Sequence, residues 1–172
     1  MTREQLAHIL RSAARITDDS DILVIGSQAI LGSYWESDLP LDAWLSIEAD
    51  LAFLDDPDGK KADAVDGAIG EESEFHALFD VYGPGVEVAV AVLPQGWQSR
   101  VVPFDMQSAL PAKAVCLERH DLVVSKLAAG REKDLAFAVA LIDSGLVDLP
   151  KLYDRAQLLS DEHHVYAFRV SQ

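Results

Sequence analysis

The sequence has a single cysteine, Cys116, so no intramolecular disulfide can form. Its neighbours Ala114, Val115 and Leu117 are apolar, which predicts a buried, inert thiol and fits a reducing compartment. No apolar run approaches the ~18 residues of a membrane span. Residues 1–19 place charge in every turn, without the apolar stretch of a secretory signal, so the expectation is a cytoplasmic protein. Basic residues are scarce: 14 Lys and Arg stand against 29 Asp and Glu, a formal net charge of -15. The average field therefore repels phosphate backbones and excludes an extended nucleic-acid-binding surface. There is no glycine-rich loop followed by a Walker lysine and no GxGxxG, which argues against a P-loop NTPase or a dinucleotide-binding dehydrogenase. His8, His76, His120 and the tail pair His163 and His164 lack metal-ligand spacing, so no zinc site is expected. No Ser/His/Asp or Cys/His nucleophile system can be assembled. Trp35, Trp44 and Trp97 read as packing residues.

What is present is a sequence of 172 residues with 49% hydrophobic content, enough for one domain over residues 1–172. Its core is expected over about residues 20–145, followed by a C-terminal helix and tail over 146–172. Leu6, Ile9, Leu10 and Ala13 recur at helical spacing and predict an amphipathic first helix. Residues 22–25 form a short apolar run that stops at Gly26 and Ser27, after which residues 28–31 favour helix: strand, tight turn, helix. Residues 43–53 alternate well enough for a second strand, and residues 60–69 suit a short helix before a loop over 67–73. In residues 86–93 four valines occupy one face of a predicted strand. A last strand is expected over 114–117. It leads into a helix running from about His120 past Gly130 to about Ile142, and residues 149–159 supply one more.

Three constellations could carry chemistry. Gly26 and Ser27 end a buried strand and open a helix, where free backbone N–H groups favour a phosphate, although the same pair suits an ordinary capped turn. Glu48 and Asp50 fall on one face of a strand, as two carboxylates must if they are to share a Mg²⁺ ion with substrate phosphates. Such i, i+2 acidic pairs should arise about five times by chance here, but the others lie in turn-like or helical contexts. Lys126, Gly130 and Lys133 follow i, i+4, i+7 and would form one helical stripe with Asp134 at its edge. Such a stripe suits a triphosphate, or else is a solvated charged face.

Read together and in order, these features resemble the nucleotidyltransferase superfamily. The sequence looks like its small bacterial AbiEii-like branch, and most like a related uncharacterised family with the patterns IGSQAILG, SxEADL, AVLPxGW and DLVVSKLxAGREKD, all present here over residues 25–134. The resemblance implies an α+β (α/β-like) nucleotidyltransferase fold, a mixed β-sheet flanked by helices with C-terminal helices closing the cleft. It further implies that Gly26 and Ser27 contact nucleotide phosphates, that Glu48 and Asp50 ligate Mg²⁺ or Mn²⁺, and that Glu87 is the candidate for a third metal carboxylate. Lys126, Arg131 and Lys133 would neutralise triphosphate charge, with Asp134 as a base or orienting group. The implied activity is transfer of a nucleoside monophosphate from an NTP to an acceptor hydroxyl on a small molecule, a protein or an RNA end, as in toxins of toxin–antitoxin pairs. The alternative is a non-catalytic module on the same fold that binds a nucleotide or a protein partner.

The charge balance yields a first test. An RNA acceptor gripped only at the cleft should show log affinity falling with log salt at a slope of roughly -1 to -2. A slope expected for six or more phosphate contacts would require a basic face formed by folding or dimerisation that the linear sequence does not reveal.

Overall fold

The computed structural model describes residues 1–160; the His163 and His164 tail lies outside the described residues. Helix α1 (Arg3–Thr17) starts at a capping box in which the Thr2 hydroxyl accepts from the Gln5 N–H and the Gln5 side chain returns to the Thr2 N–H. Its Leu6, Ile9, Leu10 and Ala13 are fully buried, as their spacing requires. Strand β1 (Ile22–Val24) follows, and all three of its side chains are buried, so both faces of the sheet are covered.

Four strands form a mixed sheet in the order β2-β1-β4-β3, with β2 spanning Leu51–Phe53, β3 Val102–Pro103 and β4 Val115–Cys116. β1 pairs antiparallel with β2, Leu23 opposite Ala52, and parallel with β4, Leu23 opposite Val115. β3 closes the other edge antiparallel to β4. Among the described residues seven α-helices surround this sheet: α1, α2 (Leu41–Trp44), α3 (Lys60–Ile69), α4 (Glu74–Phe79), α5 (Arg119–Ala129), α6 (Glu132–Asp143) and α7 (Leu149–Ala156). The architecture is α+β, consistent with the nucleotidyltransferase fold. Cys116 lies in the core, where burial pushes its thiol up to about 12.

Several elements differ from the sequence-based expectation. The second strand is shorter than residues 43–53, because Pro40, at φ -62°, leads directly into the helical turn α2. Residues 47–51 are instead held from the side away from β1. Ala49 N–H donates to the Tyr82 carbonyl at 3.0 Å, Leu51 N–H to that of Pro84 at 3.0 Å, and Val86 N–H to that of Leu51 at 2.8 Å. Past Val86 the predicted valine strand does not form; residues 88–90 make a single 3₁₀ turn and Val90 is 68% exposed. Alternation fixes which faces side chains take but supplies no ladder partner, and β2 has already ended at Phe53. Gly26 and Ser27 lead into a six-residue 3₁₀ helix (Ser27–Gly32), not an α-helix. The long helix expected from His120 to Ile142 is two helices. Gly130 adopts φ 67° and donates to the Lys126 carbonyl, ending α5, and Arg131 opens α6.

The start of α5 is anchored twice. Glu118 caps it, accepting from the His120 N–H, while the buried His120 ring bridges to the cap of α7: Nδ1 lies 2.7 Å from Glu118, and Nε2 accepts from the Asp148 N–H. This pair of bonds assigns the neutral Nδ1–H tautomer. Asp121, fully buried, receives Arg100 from the segment before β3 at 2.7 Å and Arg155 from α7 at 3.3 Å.

Two outcomes follow from this anchoring. Asp121→Ala strands two guanidinium groups and should cost about 3 kcal/mol in chemical denaturation. Burial alone would raise the Glu118 carboxyl, but the His120 ring and the N–H groups of His120 and Asp121 outweigh it and hold the carboxyl at about 2. Since the folded value lies below the ordinary 4.5, this stabilisation is present above pH 4.5 and is lost as pH falls toward 2. The stabilities of wild type and Glu118→Gln should therefore converge over that interval.

Candidate functional site

At the end of β1 where Gly26 and Ser27 turn, residues 46–50 run in from α2 and α5 breaks into α6. A cleft of about 250 Å³ opens there. Ser27, Ser46, Glu48 and Asp50 line it from the sheet side, and Lys126, Arg131, Lys133 and Asp134 line it from the helices. Asp42 and Ala43 of α2 and Phe137 of α6 complete the wall.

The Gly26 position is required by the carboxylate beside it. A Cβ there would lie 1.7 Å from Asp50 Oδ2, so only glycine lets the Asp50 side chain fold across the turn. Ile25 N–H donates to the Asp50 carbonyl at 3.1 Å and fixes the same register from the backbone. Burial raises the Asp50 carboxyl above the ordinary range and outweighs the opposing charges of Lys126, Lys133 and Arg131. Burial followed by repulsion from Asp50 raises that of Glu48. The two groups thus form a patch of negative charge whose own surroundings do not fully compensate it.

Asp134 is the opposite case. It is 1% exposed and lies against the basic side chains: Lys126 Nζ is 3.2 Å from one oxygen, and Arg131 Nε is 2.6 Å from the other. Burial works against its charge, but these partners win and hold its carboxyl below the usual range. Lys126 also lies 6.0 Å from the centroid of the Phe137 ring. Lys126, Gly130 and Lys133 therefore do not share one helical stripe. The Gly130 turn folds α6 back so that Asp134 reaches Lys126, and Lys133 enters the cleft from the second helix.

Glu87 is not brought to this cleft. It is exposed in a separate depression with Phe53, Asp56 and Pro57, at the far end of β2, because the segment leaves the sheet after Val86. Among the described residues no group of three or more His, Cys, Asp or Glu is arranged to hold a metal. The donor set that is present consists of two carboxylates with the Ser27 hydroxyl nearby in an open cleft. It fits Mg²⁺ or Mn²⁺, since Mg²⁺ takes one or two protein carboxylates and completes its shell with water and substrate phosphates. Undercompensated negative charge on Glu48 and Asp50 points the same way.

Sequence reasoning missed Asp42, Ala43 and Phe137, and also Tyr82. The Tyr82 hydroxyl is pushed up by burial and then by the carboxylates of Glu48, Glu71 and Asp50. Only the ladder between residues 47–51 and 82–86 brings Tyr82 beside Glu48, and no local pattern announces that pairing.

A family model described as "Nucleotidyltransferase of unknown function (DUF6036)" matches residues 4–169. The chain belongs to this family. No curated protein and no solved structure matches it. The match carries the nucleotidyltransferase assignment, for which an NTP is the implied substrate, but not the narrower AbiEii-like resemblance. No helix among the described residues is long and apolar enough to cross a membrane.

Because burial raises the Asp50 carboxyl above its ordinary range and outweighs the three cations around it, its charge destabilises the metal-free protein at neutral pH, and a raised folded-state pKa has that sign. Asp50→Asn without divalent metal should raise the thermal midpoint at pH 7. The gain should shrink as the pH is lowered and the wild-type carboxyl takes up its own proton. A midpoint below wild type at pH 7 would mean that the Asp50 charge is satisfied in the folded protein.

Proposed function

We propose that this protein is a Mg²⁺-dependent nucleotidyltransferase that moves a nucleoside monophosphate from an NTP to an acceptor hydroxyl. The observation that carries this reading is the confrontation, within one cleft, of Glu48 and Asp50 with Lys126, Arg131 and Lys133. Carboxylates alone would suit a cation and lysines alone an anion. Their combination suits a metal–polyphosphate.

In this reading Glu48 and Asp50 hold Mg²⁺ or Mn²⁺, which when bound stabilises charge on the phosphoryl oxygens. Lys126, Arg131 and Lys133 hold the β- and γ-phosphates, and Ser27 offers its hydroxyl to a phosphate oxygen. Asp134 is an orienting group, since both of its oxygens are engaged by Lys126 and Arg131 and neither is free to take a proton. The acceptor oxygen attacks the α-phosphorus in line. A P–O bond forms, the bond to the bridging α–β oxygen breaks, pyrophosphate leaves against the cations, and the acceptor's proton passes to water in the open cleft. The net charge of -15 restricts the acceptor to a small molecule, a protein, or an RNA end gripped locally. The AbiEii-like resemblance extends the reading to a toxin of a toxin–antitoxin pair.

One observation favours a second reading, a non-catalytic module that binds a nucleotide or a protein partner: no third carboxylate joins Glu48 and Asp50 in a metal-holding group among the described residues. Incubation with α-labelled NTP separates the two, because only the enzyme transfers label or releases pyrophosphate.

Glu48→Ala and Asp50→Ala should each abolish Mg²⁺-dependent NTP binding in calorimetry while leaving the fold intact. Lys126→Ala should weaken NTP binding by about 1.5–3 kcal/mol and NMP binding by much less, since it faces the phosphate tail. Equal losses for NTP and NMP would remove Lys126 from that role.

A further inference from the structure

The valine-rich segment that fails to become a strand has a place in the molecule that the proposed reaction does not yet use. Val90, Ala91 and Val92 wall a second depression of about 250 Å³, together with Ile25, Ala129 and Ser125. Asp50, Lys126 and Arg131 line both this depression and the polar cleft, so the two are lobes of one site that meet at those three side chains. Lys133 and Glu48 line only the polar lobe.

Resting on the nucleotide reading above, we infer that the apolar lobe is the nucleobase subsite, and that it accepts the ring without reading which base it is. Continuity with the cationic lobe argues for this occupant: a phosphate tail on Lys126, Arg131 and Lys133 leaves the uncharged end of the same molecule to the adjoining apolar wall. Size agrees, since the lobe falls below the ~300 Å³ at which pockets for drug-sized ligands begin, and it suits one flat heterocycle but no macromolecule. Base tolerance follows from the lining. Apart from the three shared charged residues, Ser125 supplies the lobe's one polar side chain among the described residues. Sites discriminate strongly only where buried polar groups must be matched, and apolar walls discriminate weakly.

Two positions test this with little risk to the core, because Val90 is 68% exposed and Ala129 is exposed near the end of α5. Binding of ATP, GTP, CTP, UTP and inorganic tripolyphosphate would be measured with Mg²⁺ by calorimetry on wild type, Ala129→Phe and Val90→Ser. In wild type the four NTPs should bind with similar affinity and more tightly than tripolyphosphate. Filling the lobe with Ala129→Phe should weaken every NTP by about tenfold or more and leave tripolyphosphate unchanged. Val90→Ser should shift the NTPs in the same direction by less, which keeps the test alive if the phenylalanine variant does not fold. The subsite is overturned if tripolyphosphate binds as tightly as the NTPs, if neither variant alters NTP affinity, or if tripolyphosphate falls in parallel with the NTPs. A preference of more than about tenfold for one base would overturn the tolerance. Absence of any NTP or tripolyphosphate binding to wild type would instead remove the nucleotide reading, and the subsite with it.

Discussion

The buried carboxylate of Asp134, shared by Lys126 from α5 and Arg131 from the start of α6, is the interaction on which the arrangement of the site depends. Two cationic side chains on separate helices would otherwise repel each other and spread into solvent. A desolvated anion between them is costly alone, but with Arg131 on both oxygens and Lys126 on one of them it becomes a fixed joint. That joint requires α6 to turn back on α5, and Gly130, at φ 67°, permits the turn. The upstream anchors at Glu118, His120 and Asp121 then fix where α5 points, so that Lys126 arrives at the mouth of the sheet.

Across the cleft the logic is reversed. The segment carrying Glu48 and Asp50 is held by backbone bonds, Asp50 to Ile25 and residues 47–51 to residues 82–86, and among the described residues no cation approaches the two carboxylates as closely as Lys126 and Arg131 approach Asp134. The metal-free protein therefore carries its compensated charge on the helices and its uncompensated charge on the sheet. The proposed substrate, a metal-bound polyphosphate, matches both halves at once, with the cation toward the sheet and the anion toward the helices. A protein with a net charge of -15 can hold such a substrate because the three cations act at contact distance, whereas the average field is screened over about 8–10 Å.

The apolar lobe adds a different kind of recognition. One of its walls comes from the segment that the sheet releases after Val86, and among the described residues its ionic features are those shared with the polar lobe. Shape and burial would act at one end of the ligand and charge at the other. This division is compatible with an enzyme whose specificity lies mainly in its acceptor.

Much of this was already determined by the sequence alone. The helix with Leu6, Ile9, Leu10 and Ala13 on one face, the buried run at residues 22–24, the helix over residues 60–69 and the inert Cys116 are set by local composition and period, which tertiary packing did not overrule. The carboxylate pair was legible because Glu48 and Asp50 are two residues apart and strand geometry acts over that distance. Only the tertiary structure decided where the helix breaks, which of the cations Asp134 binds, that Glu87 stands away from the cleft while Tyr82 comes beside Glu48, and that the valine segment forms a wall in place of a strand. Each of these depends on a partner distant in sequence. Alternation cannot name a strand's neighbour, helical spacing cannot tell whether Gly130 continues or ends a helix, and the joint of Lys126, Asp134 and Arg131 exists only once the chain has turned back on itself.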